Sequence, residues 1–226
     1  MINVQTKFEI LVPEPNVYHV VFDNQRDLAM SMMRLQEYYE GPCDEIRGNY
    51  FTMEQFLHYF TDERGEFGYI HQWSGFNVPG HIVEEWMDLF TRDTILMGKE
   101  QQMHEAISAL RGTSTAKWYL IATTGKLDSR TVKHEMAHAR YYLSEDYRTA
   151  CDQLVTGMDP RDREMMSRAL LDMGYNAVVI QDEIQAYLGT SSAGELDIWF
   201  DELTPRTRTV ARKLRKLCKD HVASKG

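Results

Sequence analysis

The sequence predicts an α+β fold that is predominantly helical, with a short strand just before a helix bearing the pattern H-E-x-x-H. Three observations carry this. Apolar residues recur at helical spacing over much of the 226 positions. Only two segments, "FEILV" and "KWYLIATT", read clearly as strands. Hydrophobic residues make up 43% of the chain and charged residues 26%, the balance of an ordinary globular domain. A chain of this length can bury one sizeable core. It has no internal repeat, low-complexity tract or strong linker, so residues 1–226 read as one compact unit. Within it lie a helical and aromatic half (1–112), a half that carries the H-E-x-x-H pattern (113–203) and a basic amphipathic C-terminal helix (204–226).

The elements follow in order. "FEILV" is a strand broken by Pro13 and Pro15, which lack the N–H a ladder needs. Asp27 to Tyr39 places Leu28, Met32, Leu35 and Tyr39 on one helical face. "GPCDEIRGNYF" is a loop. "TMEQFLHYFTDE" begins a helix with Thr52 as N-cap and Gln55 at the capping-box position. "GEFGYIHQWSGFNVPG" is turn-rich and aromatic, closed by Pro79 and Gly80. Ile82 to Leu110 forms one or two helices, with Gly98 as the break. Lys117–Thr124 is the clearest strand, and "GKLDSR" turns from it into the motif helix, where Ser129 offers an N-cap. A helix from about Arg161 ends at Gly174, a C′ glycine. Asn176 caps the next, which runs to Leu188 and ends at Gly189; a last helix starts at Pro205.

Charge narrows the function classes. The net −9 conceals a segment from Thr204 with eight basic residues and one acidic, a net of +7 that leaves the rest near −16. A domain that binds nucleic acid over its whole surface would not be so acidic. Val210, Leu214 and Leu217 share a face of the basic helix, so the stripe docks on the domain and the charges face water. Contact with nucleic acid or another anionic partner through this helix is the remaining route to such a partner. No apolar run approaches the roughly 18 residues of a membrane span. The first residues show no basic stretch followed by an apolar one, so neither membrane nor secretory signal is expected and the location reads as cytoplasmic. Cys43, Cys151 and Cys218 are odd in number and far apart, which suggests free thiols in a reducing compartment.

The chemistry concentrates in "KHEMAHARYY". Residues four apart share a helical face, so His134 and His138 can point two imidazoles at one ion. A catalytic zinc needs three protein ligands and one open position. Glu135 would lie beside the water there, as the general base that takes its proton and passes it to a leaving nitrogen. The motif alone also arises by chance, but a preceding strand, an N-cap and an available third ligand raise its weight. The extended pattern with a following Gly and third His is absent, since Tyr141 and Ser144 stand there. The third ligand is sought instead in "NAVVIQDEIQAYLG". Glu183 falls among Ile180, Ile184, Tyr187 and Leu188 on the apolar face of that helix, where a carboxylate is costly unless paired or bound to metal.

"HEMAH" followed by "EIQAY" resembles the gluzincin pattern of zinc metallopeptidases over about 60 residues, Val132 to Leu188. The resemblance implies a zincin-like catalytic region. It also implies one Zn2+ held by His134, His138 and Glu183, Glu135 as catalytic base, and a protein or peptide substrate. That pattern often has an Asp four residues after the ligand Glu, bonded to the first His; here the position is Tyr187. Tyr187 can share a hydrogen bond but cannot act as a carboxylate, and Asp182 is a substitute about 100° away round the helix. Tyr142, Tyr175 and Tyr187, with Tyr141, His71 and Arg140, are candidate donors to a developing oxyanion. Phe67, Tyr69, Trp73 and Phe76, beside His71, Gln72 and Asn77, either line a cleft or pack a loop over the core. The strand "WYLIATT" is either a core strand or one to which an extended substrate adds. Two rival functions stay open: a metal-stabilised binding or regulatory protein without catalysis, and a nucleic-acid-associated protein acting through the basic helix.

Overall fold

The computed structural model describes residues 7–61, 64–71, 73–93, 98–112, 114–125 and 129–223. The expectations for Gln72 and for residues 126–128 of the turn before the motif helix lie outside these residues. The fold is mixed α and β, helix-dominated, with one small four-stranded sheet. The chain divides into two compact units, Met1–Val132 and Lys133–Gly226. The division falls in the first turn of the motif helix. The strand expected to belong with the motif hydrogen bonds within the first unit, between two of its strands.

In the first unit, β1 (Phe8–Glu14) and β2 (Val17–Phe22) form an antiparallel hairpin through Asn16, whose φ of 65° suits a tight turn. Proline does not end β1 at Val12. Strand β1 is a sheet edge, and its register shifts between Leu11 and Glu14, which accommodates Pro13 without a ladder bond. Helix α1 (Gln25–Glu40) starts at Asn24, whose side chain accepts from the Asp27 amide at 2.9 Å. Helix α2 (Met53–Phe60) has both bonds of the expected capping box, Thr52 with Gln55. The aromatic segment holds a 3-10 turn (Tyr69–His71) and strand β3 (Gly75–Pro79), then helix α3 (Gly80–Asp93). Helix α4 (Gly98–Arg111) begins at the expected break.

Strand β4 (Tyr119–Thr123) completes the sheet in the order β1-β2-β4-β3, parallel to β2 and antiparallel to β3. Val20, Phe22, Phe76, Val78, Leu120 and Ala122 from the sheet pack with Leu28 and Met32 of α1, Trp86 and Phe90 of α3 and Met103 of α4 in one core. Each Val, Leu, Phe or Met side chain among them contributes about 1.5–3 kcal/mol on burial. Phe67 and Trp73 pack against this core, and Tyr69 and Phe76 lie within it, so the aromatic segment is packing.

In the second unit, α5 (Arg130–Leu143) continues from the boundary, and Ser129 Oγ caps it by accepting from the Val132 amide at 3.2 Å. Helix α6 (Glu145–Thr156), which the sequence reading did not find, follows at once, capped by Ser144. Helix α7 (Pro160–Asp172) ends as expected at Gly174, whose φ is 98°. The Gly174 and Tyr175 amides bond back to the Leu171 and Leu170 carbonyls, closing a Schellman motif.

Helix α8 (Ile180–Thr190) differs from expectation at both ends. Asn176 accepts from the Val178 amide in a turn and does not cap α8. Gly189 lies inside α8, where a Cβ would meet the Cys218 sulfur at 3.2 Å. A further short helix, α9 (Ala193–Trp199), was also not foreseen. Helix α10 (Pro205–Ala223) docks as expected: Val210, Leu214 and Cys218 join Tyr147, Cys151, Val155, Ile184 and Leu188 in the second core. Arg215 donates to the Ser191 carbonyl at 2.9 Å, satisfying the end of α8, while Arg212, Lys213, Lys216 and Lys219 face solvent. Among the described residues, no helix is long and apolar enough to cross a membrane.

Candidate metal centre

Two helices build the site. His134 and His138 are one turn apart on α5, and Glu183 projects from the first turn of α8. Ile184 and Leu188, on the same side of α8, are buried in the core, which turns Glu183 inward with them. His134 Nε2 is 3.2 Å from His138 Nε2. Glu183 presents Oε2 at 3.4 Å from His134 Nε2 and Oε1 at 3.4 Å from His138 Nε2. The three residues form a group whose ligand atoms lie within 4.8 Å of one another.

These distances test the fit to a metal. Zinc–nitrogen and zinc–oxygen bonds of about 2.0–2.1 Å in a tetrahedron separate ligand atoms by roughly 3.3 Å. The His134–His138 separation matches that edge length, and each histidine has a Glu183 oxygen at a similar distance, a different oxygen in each case. A second observation agrees with it: Glu183 Oε2 is buried and accepts no hydrogen bond from the described residues. Its distance of 3.4 Å from His134 is long for a hydrogen bond but ordinary for two atoms sharing an ion. The chemistry of the set, two imidazoles and a carboxylate, is that of an open zinc site. Exposure is uneven. The His134 side chain is 17% exposed, against 2% for His138 and 3% for Glu183.

The electrostatics are mutual. Burial alone would lower the pKa of His138. The carboxylates of Asp182, Glu183 and Glu135 outweigh it and hold His138 well above its usual value without metal. Burial would raise Glu183, but the charge on His138 and its contact with His134 keep it below the ordinary carboxyl value. A carboxylate is therefore retained at a fully buried position.

The surrounding residues divide clearly. Glu135, next to His134 on α5, is buried, and its charge is felt by both His138 and Tyr175. The Tyr187 ring meets the His134 ring edge-on at 4.8 Å and is backed by Phe200 at 5.5 Å. Its hydroxyl lies 3.2 Å from that of Tyr175. Burial, then the nearby Glu183 charge, push the Tyr175 hydroxyl far above its ordinary pKa, so it remains a proton-bearing donor. Tyr142 sits one turn beyond His138 on the same face of α5.

Three other candidates have these surroundings. Tyr141 donates to Asp152 at 2.6 Å. The Arg140 charge acts on Tyr147 and Cys218. His71 is an exposed residue of the first unit.

One polar contact in the site was not expected in this form. Asp182 Oδ1 lies 3.0 Å from His138 Nδ1, so the carboxylate serves the second histidine of the motif. Gln185 Nε2 donates to the same Asp182 oxygen at 2.7 Å. A helical-wheel reading sends Asp182 away from Glu183. The two nitrogens of one imidazole point in different directions, however, so adjacent acids can address one ring. No family model, curated protein or solved structure matches the chain.

Proposed function

We propose that this protein is a zinc-dependent hydrolase, most simply a metallopeptidase, with His134, His138 and Glu183 as ligands and Glu135 as general base. The observation that carries the reading is the convergence of His134, His138 and Glu183, whose ligand atoms lie within 4.8 Å of one another, with His134 partly exposed. A bound zinc would polarise a carbonyl and lower the pKa of its water to about 7. The chain's own residues do the rest. Glu135 accepts the proton of the attacking water and returns it to the leaving nitrogen, so it ends the cycle ionised. Tyr175 and Tyr187 supply O–H donors for the carbonyl oxygen as it gains charge. A zincin-like arrangement goes with this reading, supported by the helix bearing H-E-x-x-H and the later helix bearing Glu183. A reducing, cytoplasmic setting is consistent with three unpaired cysteines.

Burial of His138 and Glu183 favours a second reading, in which the metal only stabilises a binding or regulatory protein. Glu135→Gln separates the two. On the catalytic reading, the zinc-loaded protein hydrolyses members of a peptide library, and the variant loses about 10²–10⁴ in rate while binding zinc as well as the wild type. A zinc-loaded wild type with no hydrolysis across the library, or a variant of undiminished rate, would remove Glu135 from catalysis.

A further inference from the structure

We propose that Asp182 is the positioning residue of this metal centre: it fixes the His138 imidazole so that Nε2 is the ligating atom. The inference rests on the metal-site reading above and deepens it.

The two acids of "QDEIQ" bracket one ring. Asp182 lies 3.0 Å from Nδ1, and Glu183 lies 3.4 Å from Nε2, on the other side of the same imidazole. A neutral imidazole carries one N–H and one lone pair. A carboxylate at 3.0 Å from Nδ1 accepts a hydrogen bond from it. With the lone pair there instead, two electron-rich atoms would face each other. When a metal takes the place of the proton on Nε2, the remaining proton is therefore held on Nδ1, and the Nε2 lone pair points to where His134 Nε2 and Glu183 also converge.

Asp182 is itself anchored. Gln185, fully buried one turn further along α8, donates to its Oδ1 at 2.7 Å, and the Gln185 oxygen accepts from the buried Cys151 thiol at 3.7 Å. A line of contacts thus runs from the second core through Cys151, Gln185 and Asp182 to a ligand histidine. Tyr187 does not replace this carboxylate, since its ring packs against the other histidine. The sequence signature of the arrangement is D-E-x-Q, with the positioning acid one residue before the ligand Glu.

The test is zinc affinity by chelator competition for the wild type, Asp182→Asn and Asp182→Ala. Asn keeps shape and volume, so it guards against a variant that merely fails to fold. The expected result is a 10- to 100-fold weaker zinc affinity in both, with the metal-free melting temperature of the Asn variant unchanged. Nitrogen-15 spectra of the zinc-loaded forms give a second readout. The His138 Nδ1–H should be protected from exchange in the wild type and lose that protection in Asp182→Ala. Wild-type affinity in both variants, with the Nδ1–H still protected, would overturn the role of Asp182 and leave the triad standing. A wild type that binds no zinc would overturn the triad and this inference together.

Discussion

Glu100 in the first unit and Glu183 in the second are buried almost equally, at 0% and 2% exposure, yet they are satisfied by opposite means. Glu100 faces a guanidinium: Arg34 Nε donates to its Oε1 at 2.7 Å, with a second bond from the same fork. Such a pair is complete in itself. Glu183 faces two imidazole nitrogens at 3.4 Å and, among the described residues, keeps one buried oxygen without a hydrogen bond. Glu37, in the first unit, is a third case. Tyr69 donates to one of its oxygens at 2.6 Å, and the other has no hydrogen bond among the described residues. Burial pushes its carboxyl up to about 7, although the Tyr69 bond opposes this. A buried acid can be neutralised by a cation, by a proton or by a metal. The charges around it decide which. Only at Glu183 do nearby groups keep the acid ionised while offering further ligand atoms.

That contrast can be broken at each acid in turn. The largest effect on stability is expected at Glu100. Arg34→Ala would leave a buried carboxylate without its cation, a cost of about 3–5 kcal/mol that zinc does not change. Chemical denaturation with and without zinc measures it. A loss under 1 kcal/mol would mean Glu100 finds another partner or a proton.

A smaller effect is expected at Glu37, and it depends on pH. Its folded pKa, about 7, lies above the ordinary 4.5, so the folded protein holds this proton more tightly than the unfolded chain. The stabilisation is full below about pH 4.5 and is lost as pH rises through 7. Glu37→Gln should therefore reduce the fall in stability between pH 4.5 and 8 by about 2–3 kcal/mol, read from denaturation at each pH. An unchanged pH profile would show that Glu37 does not titrate in this range.

The sequence made the site more legible than the fold around it. H-E-x-x-H is a local pattern: two histidines four apart, with Ser129 to start the helix, define their geometry without knowledge of the rest. Glu183 stood out because an acid on an otherwise apolar face needs a reason. The contact from Asp182 was hidden because the helical wheel describes directions of departure, not the reach of a side chain toward a flat ring. In the sheet, β2 and β3 were missed for different reasons. "VYHVVF" is buried on both faces and shows no alternation, while "GFNVP" carries the Gly and Pro of a turn. Their partner is β4, about a hundred residues from β2, and no local signal encodes that pairing. Helix α6 rests on a narrow stripe of Tyr147, Cys151 and Val155, and α9 is only seven residues long.

The central claim is that Glu183, unlike Glu100 and Glu37, is a buried acid meant for a metal ion. Elemental analysis of chelator-washed and zinc-reloaded protein tests it most directly, on the wild type, His134→Ala and Glu183→Ala. The account expects about one zinc per wild-type chain and almost none in either variant. No zinc in the reloaded wild type, or full zinc in the Glu183→Ala variant, would contradict it.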